Sequence, residues 1–207
     1  MRLIKKLLVL IIIFIISIGI LLLIKEKRKN NNEVVLFLGD SITERFKLDI
    51  YMPSIYSINS GVGGNNTEDI LNDMDNRVYK YKPKKVFLLI GINDILFTNK
   101  TDDEIINNIN KIINNINDKT NSKIYLESVY PVNTNVKKDI PKDSNKKINN
   151  FNKKLSKICN KNCKYINIHK YLMDKDGNLR DIYTNDGIHI NKFGYVIITG
   201  RLYKYAK

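Results

Sequence analysis

Five short apolar runs, separated by stretches of helical pattern, constrain most strongly what this chain can fold into. Each run is short and rich in β-branched and aromatic residues, as expected of strands buried on both faces of a parallel sheet. The runs cover residues 34–38, 55–58, 86–90, 124–129 and 165–168. Because strands alternate with helices along the chain, the sequence predicts an α/β domain with a parallel sheet and right-handed crossovers.

The stretches between the runs have apolar residues at helical spacing. Residues 67–81 are predicted to form one helix. Thr101 and Glu104 have the spacing of a capping box, and a long stripe of isoleucines follows them, which predicts a second helix. A third helix is predicted over residues 144–158, and the last begins near Asn191 and continues to the C-terminus.

The N-terminus has a different composition. Residues 7–24 form an uncharged apolar run, and about 18 such residues approach the length that crosses a bilayer as a helix. Basic residues precede the run, no small-residue cleavage site follows it, and residues 25–29 are charged, so we expect an uncleaved membrane anchor. The expected domains are therefore residues 1–30, an anchor and basic linker, and residues 31–207, a globular domain.

The orientation of the expected anchor in the membrane and the net charge of the chain constrain its function less. Basic residues flank both ends of the apolar run, and an anchor of this kind most often leaves the following domain outside the cytoplasm; a cytoplasmic domain is the alternative. Of the formal charge of +14, residues 1–30 carry +6. The remaining excess is scattered, without a dense basic helix or a nucleic-acid module, so no nucleic-acid partner is predicted.

Cys159 and Cys163 have a poor spacing for zinc, and either a local disulfide or two free thiols fits them.

Small and polar residues follow several runs, at the edge of a parallel sheet where ligands bind. Ser41 directly follows the first run and is a candidate nucleophile, although glycine and serine also form ordinary turns. His189 has Asp186 three residues before it, a spacing that lets the carboxylate orient the imidazole as a base. Gly64 and Asn93 lie on two further loops, where a backbone N–H and an amide can face an oxyanion. We assign the chain's other histidine, His169, a structural role.

Four sequence blocks together resemble those of the SGNH, or GDSL, hydrolase superfamily. The blocks are GDSIT at 39–43, GGNN at 63–66, GIND at 91–94 and DGIH at 186–189, in this order and each on the expected loop. The resemblance covers the chain from Val34 to the C-terminus. It implies a three-layer, flavodoxin-like α/β/α fold with a five-stranded parallel sheet.

The resemblance also implies roles for individual residues. Ser41 would be the nucleophile, His189 the base and Asp186 its orienting carboxylate, while the Ser41 N–H, the Gly64 N–H and the Asn93 side chain would form an oxyanion hole. The family usually has Gly-Asp where this chain has Asn65-Asn66. Asp40 and Asp94 are expected to pin loops, and no metal or cofactor is implied.

The sequence therefore predicts a serine esterase that acts on short, acetyl-type esters of a carbohydrate or cell-wall glycan. No insertion is long enough to cover a long acyl chain, which favours short acyl groups. A lysophospholipase or other lipid esterase is the alternative, because an anchor also places the site beside lipid. An acyltransferase would use the same residues, and a non-catalytic glycan-binding module would keep the fold. The acyl chain length, the alcohol partner and the oligomeric state stay open.

Overall fold

A twisted parallel sheet forms the centre of the molecule, as the computed structural model shows for residues 2–30 and 33–207. Its strand order is β2-β1-β3-β4-β5, and every neighbouring pair is parallel. The strands are β1 Val35–Gly39, β2 Ser57–Gly61, β3 Lys85–Leu89, β4 Lys123–Glu127 and β5 Cys163–Ile166. The predicted α/β fold with a five-stranded parallel sheet is confirmed.

Helices connect the strands and flank the sheet. The order of the helices along the chain is α1 Arg2–Asn30, α2 Ser41–Glu44, α3 Leu48–Tyr51, α4 Thr67–Asn72, α5 Met74–Arg77, α6 Ile92–Phe97, α7 Asp102–Lys119, α8 Ser144–Leu155, α9 His169–Leu172 and α10 Lys192–Ala206. Short 3₁₀ turns lie at Tyr79–Tyr81 and Asp181–Tyr183. The predicted capping box is present, because Thr101 accepts from the Glu104 N–H and the Glu104 side chain accepts from the Thr101 N–H.

The core lies on both faces of the three central strands. Strand β1 is buried along its whole length, whereas the edge strands β2 and β5 are only partly covered. Across the sheet, the ring of Phe37 stacks on Phe87 at 4.7 Å, and Phe87 stacks on Tyr125 at 4.8 Å. These three aromatic residues occupy equivalent positions on β1, β3 and β4, so their stacking fixes the register of the strands that bring the site together.

The prediction of one continuous helix over residues 67–81 was wrong. The chain leaves helical geometry at Asp73, where φ is −133° and ψ is 32°, so that α4 and α5 are separate helices. The apolar spacing survives this break, since Ile70, Met74 and Val78 are all buried. Periodicity alone therefore could not reveal the interruption.

The predicted transmembrane anchor is not supported. Residues 7–24 lie within α1, but among the described residues no helix has the combined length and apolar character needed to cross a bilayer. Several apolar side chains of α1 are exposed, Phe14 at 66% among them. Within residues 7–24, the structure does not describe the side chains of four residues: Leu8, Leu21, Leu23 and Ile24.

The two cysteines form a disulfide, one of the two alternatives that the sequence allowed. Cys159 and Cys163 are bonded across four positions of sequence, with their Cα atoms 4.8 Å apart. The bond closes the short turn between α8 and β5.

Candidate active site

The candidate nucleophile lies where β1 gives way to α2. Gly39 ends the strand, and Asp40 caps the helix because its Oδ1 accepts a hydrogen bond of 2.9 Å from the Ile42 N–H. Ser41 is the first residue of α2, and its Oγ lies 3.0 Å from His189 Nε2. The structure thus brings together two side chains that are 148 positions apart in sequence.

His189 is held from its other side by Asp186. The distance from Nδ1 of His189 to Oδ2 of Asp186 is 2.6 Å. Oδ1 of Asp186 accepts from the N–H groups of Ile188 and His189, at 3.0 and 2.8 Å, so the carboxylate is fixed in place. With the proton on Nδ1 facing Asp186, Nε2 carries a free electron pair and can accept the Ser41 proton.

The electrostatics keep the Asp186 carboxylate ionised. Partial burial acts to raise its pKa, but the hydrogen bonds from the His189 ring and from the His189 and Ile188 N–H groups outweigh burial and lower the pKa to about 2. Arg45 adds a guanidinium nitrogen 3.8 Å from Oδ2, at an exposed position. A negative charge is therefore present beside the imidazole throughout the neutral pH range.

The two predicted oxyanion loops also meet. Gly64 is the third residue of a tight turn from Val62 to Asn65, closed by a bond of 3.3 Å from the Asn65 N–H to the Val62 carbonyl. Its φ of +76° is the left-handed conformation that the third position of a type II turn requires, and glycine adopts it without strain. Asn93 lies in the first turn of α6, and its Nδ2 donates to the Asn65 carbonyl at 2.8 Å. An amide has two N–H donors, so one remains for a ligand.

Asp40 and Asp94 are buried loop pins, as expected. Oδ2 of Asp94 accepts from the Thr67 N–H at 3.0 Å, and Oδ1 accepts from the Thr67 hydroxyl at 2.7 Å and from Lys100 Nζ at 3.2 Å. These bonds join the start of α4 to the start of α6. Burial raises the pKa of Asp40 to about 7, against the bond from Ile42. Oδ2 of Asp40 has no hydrogen-bond partner within the part of the chain that the structure describes.

Sequence reasoning missed two buried charged residues near the site, Glu127 and Arg77. Glu127 ends β4, is 3% exposed and accepts a hydrogen bond of 2.5 Å from the Tyr130 hydroxyl. Burial raises the pKa of Glu127 to about 8. Arg77 is 7% exposed and bonds to the ends of β1 and β2. Glu127 left a signal, since it is the charged residue inside an apolar run, whereas Arg77 looked like any polar helix residue.

The second histidine lies away from these groups. His169 is 4% exposed, and its Nδ1 lies 2.9 Å from the Val129 carbonyl. Burial lowers its pKa, so the ring is neutral and packed into the core, in agreement with the predicted structural role. In residues 2–30 and 33–207, no group of three or more histidine, cysteine or acidic side chains has the arrangement of a metal site.

The family of the chain follows from this fold and from comparison with known proteins. Residues 37–197 match the model of the GDSL-like Lipase/Acylhydrolase family, which is most of the chain. The chain belongs to this family and is an ester-hydrolysing enzyme. The predicted resemblance to SGNH hydrolases is thereby confirmed at the level of the family.

Solved structures with the same fold cover nearly the whole domain. A Streptococcus pneumonia protein, assigned provisionally as a platelet activating factor, is 28% identical with a TM-score of 0.79, over 92% of this chain and 99% of that one. A GDSL-like lipase from Bacteroides thetaiotaomicron is 22% identical with a TM-score of 0.75, over 86% and 89%. An acetylxylan esterase from Geobacillus stearothermophilus is 17% identical with a TM-score of 0.66, over 84% and 94%.

One curated relative is a larger protein. The N-acylneuraminate cytidylyltransferase of Escherichia coli is 32% identical over 123 residues, which is 59% of this chain. The match spans only 28% of that protein, so this chain is similar to about a quarter of it.

Proposed function

We propose that this protein is a serine esterase that removes short acyl groups, of the acetyl type, from a carbohydrate or cell-wall glycan. The observation that carries the proposal is a continuous chain of contacts. Ser41 Oγ lies 3.0 Å from His189 Nε2, and His189 Nδ1 lies 2.6 Å from Asp186 Oδ2. A hydroxyl, an imidazole and a carboxylate in this order form the arrangement that activates serine for attack on an ester.

The proposed reaction has two halves. In the first, His189 takes the hydroxyl proton while Ser41 Oγ attacks the ester carbonyl, and the resulting oxyanion is stabilised by the Ser41 N–H, the Gly64 N–H and Asn93 Nδ2. The intermediate collapses, His189 returns the proton to the departing alcohol, and an acyl-serine remains. In the second half, His189 takes a proton from water, the hydroxide attacks the acyl group, and the carboxylic acid leaves as the proton returns to Ser41.

The preference for short acyl groups rests on the loops at the sheet edge. The loop from β2 to α4 has only five residues, 62–66, and the loop from β3 to α6 has only two, 90 and 91. These two loops are too short to cover an extended acyl chain, whereas the loop from β4 to α8, residues 128–143, is longer. Acetylxylan esterases share this fold, which is therefore able to accommodate acyl-sugar esters. A lipid esterase is the second candidate, and the exposed apolar side chains of α1 favour it.

The test uses the purified full-length chain with aryl esters of acetate, butyrate and octanoate, followed by an acetylated xylan and a lysophospholipid. We expect the acetate ester to be hydrolysed fastest and acetate to be released from the polysaccharide. Ser41→Ala should reduce turnover at least 10³-fold, roughly the loss seen when a triad member is removed. Preference for octanoate and the lysophospholipid would support the lipid esterase, and transfer of acetate to an added sugar without release would indicate an acyltransferase.

We further propose that the enzyme acts outside the cytoplasm and is held near a membrane through α1. Two features support this location. Disulfides persist mainly in oxidising compartments, and Cys159 and Cys163 are bonded. The exposed apolar side chains of α1 would also be covered by lipid. Protease added to intact cells should digest the domain, and deletion of residues 2–30 should release it from the membrane fraction. A protected domain, or one that fractionates identically after the deletion, would overturn this location.

A further inference from the structure

Asn65 is the point at which the two oxyanion loops are joined. Its N–H closes the turn that contains Gly64, and its carbonyl accepts the bond from Asn93 Nδ2. A third bond leaves its side chain, because Oδ1 of Asn65 accepts from Nη1 of Arg77 at 2.5 Å. Displacement of Asn65 would therefore move the Gly64 N–H and the Asn93 amide together.

Arg77 has few ways to move. Its Nη2 donates to the Gly39 carbonyl at 2.9 Å and to the Ser60 carbonyl, and its Nε donates to the Ser60 hydroxyl at 3.1 Å. Gly39 ends β1 directly before the nucleophile loop, and Ser60 lies near the end of β2. The planar guanidinium, with donors in a fixed fork, thus connects β1, the strand that leads to Ser41, to the turn that contains Gly64.

The break in the helix at Asp73 places Arg77 on a separate short helix, α5. The buried guanidinium of Arg77 is stabilised by hydrogen bonds to neutral groups. Among the described residues, the groups that the Arg77 side chain bonds are backbone carbonyls, a hydroxyl and an amide, and none is a carboxylate. A buried cation is costly unless its donors are satisfied, and here they meet acceptors at the ends of β1 and β2 and on the turn that contains Gly64. This arrangement suits a group that fixes the distance between loops.

We propose that Arg77 is a positioning residue, which acts through the Asn65 side chain to hold the Gly64 N–H and the Asn93 amide in register with Ser41. The inference rests on the proposed function, since it concerns the oxyanion donors of that reaction. It assigns Arg77 no contact with substrate. Loss of the Arg77–Asn65 bond should lower kcat and leave KM almost unchanged, because donors that stabilise the transition state would be displaced while the ground state is bound as before.

A matched pair of variants at Asn65 tests the bond. Asn65→Leu has a similar volume and no acceptor for Arg77, and we expect kcat for the acetate ester to fall about tenfold or more with KM within about twofold. Asn65→Asp keeps an acceptor oxygen towards Arg77, so it should restore most of kcat. Arg77→Lys should resemble Asn65→Leu, because one ammonium cannot reach the four acceptors on Gly39, Ser60 and Asn65 that the planar guanidinium satisfies. Ser122→Ala, which removes a buried bond of 2.6 Å to the Pro83 carbonyl away from the site, controls for lost stability and should lower Tm with kcat unchanged.

A double-mutant cycle then separates positioning from general destabilisation. In an Asn93→Ala background, Asn65→Leu should lower kcat by a smaller factor than in the unmodified protein, because one of the two donors that Asn65 holds is already absent and only the Gly64 N–H remains to be displaced. Unchanged kcat in Asn65→Leu, or additive losses in the double variant, would overturn the inference while the proposed function stands. If the unmodified protein shows no Ser41-dependent hydrolysis, the proposed function fails and this inference fails with it.

Discussion

Two groups of acidic side chains near Ser41 differ in their surroundings and in their ionisation. Asp186 is half exposed, receives three hydrogen bonds and has a pKa lowered to about 2. The buried acidic cluster, which we define as Asp40, Glu127 and Tyr130, is almost fully covered. There burial dominates, and the pKa values of Asp40 and Glu127 are raised to about 7 and about 8. The same chemical group is thus a fixed charge on one side and, below about pH 7, a mostly neutral acid on the other.

The difference shows which physical effect decides the ionisation of a carboxyl group. Burial raises the pKa in both regions, but around Asp186 donors outweigh it, whereas Glu127 has a single hydroxyl donor and Asp40 one backbone N–H. In the proposed reaction, a charged carboxylate beside His189 would stabilise the imidazolium that forms during attack. In the same reaction, neutral forms of Asp40 and Glu127 would add no buried negative charge to oppose the developing oxyanion.

Asp186→Asn should have the largest effect of these substitutions. An amide N–H facing Nδ1 would favour the wrong tautomer of His189, and we expect kcat to fall about 10³- to 10⁴-fold with KM little changed. The Asn side chain retains an oxygen for the Ile188 and His189 N–H groups, so Tm should change little. Steady-state kinetics on the acetate ester measure the effect. A loss of less than tenfold would show that the charge of Asp186 is not needed for turnover. The difference in ionisation between Asp186 and the buried acidic cluster would then have no consequence for activity.

Glu127→Gln tests whether the buried carboxyl group of Glu127 is neutral in the folded protein, through the pH dependence of the free energy of unfolding. A carboxyl group whose pKa is raised on folding contributes stability below its unfolded pKa and loses it as pH rises through the folded value. As pH rises from about 5 to about 8, Glu127 should therefore make the protein less stable, and linkage predicts a loss of about 3 to 4 kcal/mol. Gln has no such titration, so the variant should lose less stability than the unmodified protein over that range.

Urea unfolding at pH 5 and pH 8 measures this difference. Asp40 titrates in the same direction and remains in the variant, so part of the pH dependence should persist. Asp186 has the opposite sign, since its lowered pKa contributes stability above pH 3.8 that is lost only as pH falls towards 2. Its effect therefore lies outside the measured range. Identical pH dependence in the two proteins would mean that Glu127 is ionised when folded.

Much of the fold and of the candidate site could be predicted because the signals are local. The strand runs, the capping box at Thr101 and the Asp-x-x-His spacing at residues 186–189 each lie within a few positions of sequence. The roles of Arg77 and Glu127 could not be predicted in this way. The Arg77 side chain meets Gly39 across 38 positions, and the pKa of Glu127 depends on its complete burial, which arises only when the sheet is assembled.

The broken helix at Asp73 has the same explanation. The apolar residues on both sides of Asp73 face the core, so the spacing matches one helix, but the tertiary bonds of Arg77 fix α5 separately. The predicted membrane anchor is not supported, and for a different reason. Composition over residues 7–24 suggested a bilayer span, whereas the described residues contain no helix that meets the requirement of length and apolar character.

Asp40→Ala should have a smaller effect, and mainly on stability. The substitution removes the cap on the Ile42 N–H at the start of α2, which typically costs about 1 kcal/mol. Asp40→Asn keeps an oxygen for the cap and replaces a group whose second oxygen already lacks a partner among the described residues. It should recover most of the loss. Equal free energies of unfolding for the two variants at pH 8 would show that the cap is not what Asp40 contributes.

Arg45→Ala should have the smallest effect, although its guanidinium is the cation paired with Asp186. The N–O distance is 3.8 Å and both side chains are about half exposed, so solvent and salt screen the interaction, and exposed pairs of this kind contribute between about 0 and 1 kcal/mol. The hydrogen bonds from His189 and Ile188 already hold the carboxylate ionised. We therefore expect kcat/KM within about threefold of the unmodified enzyme at 0.15 M salt. A tenfold loss that disappears at high salt would show that the charge of Asp186 depends on Arg45 rather than on its backbone donors, and the ionised side of the comparison would then need a different cause.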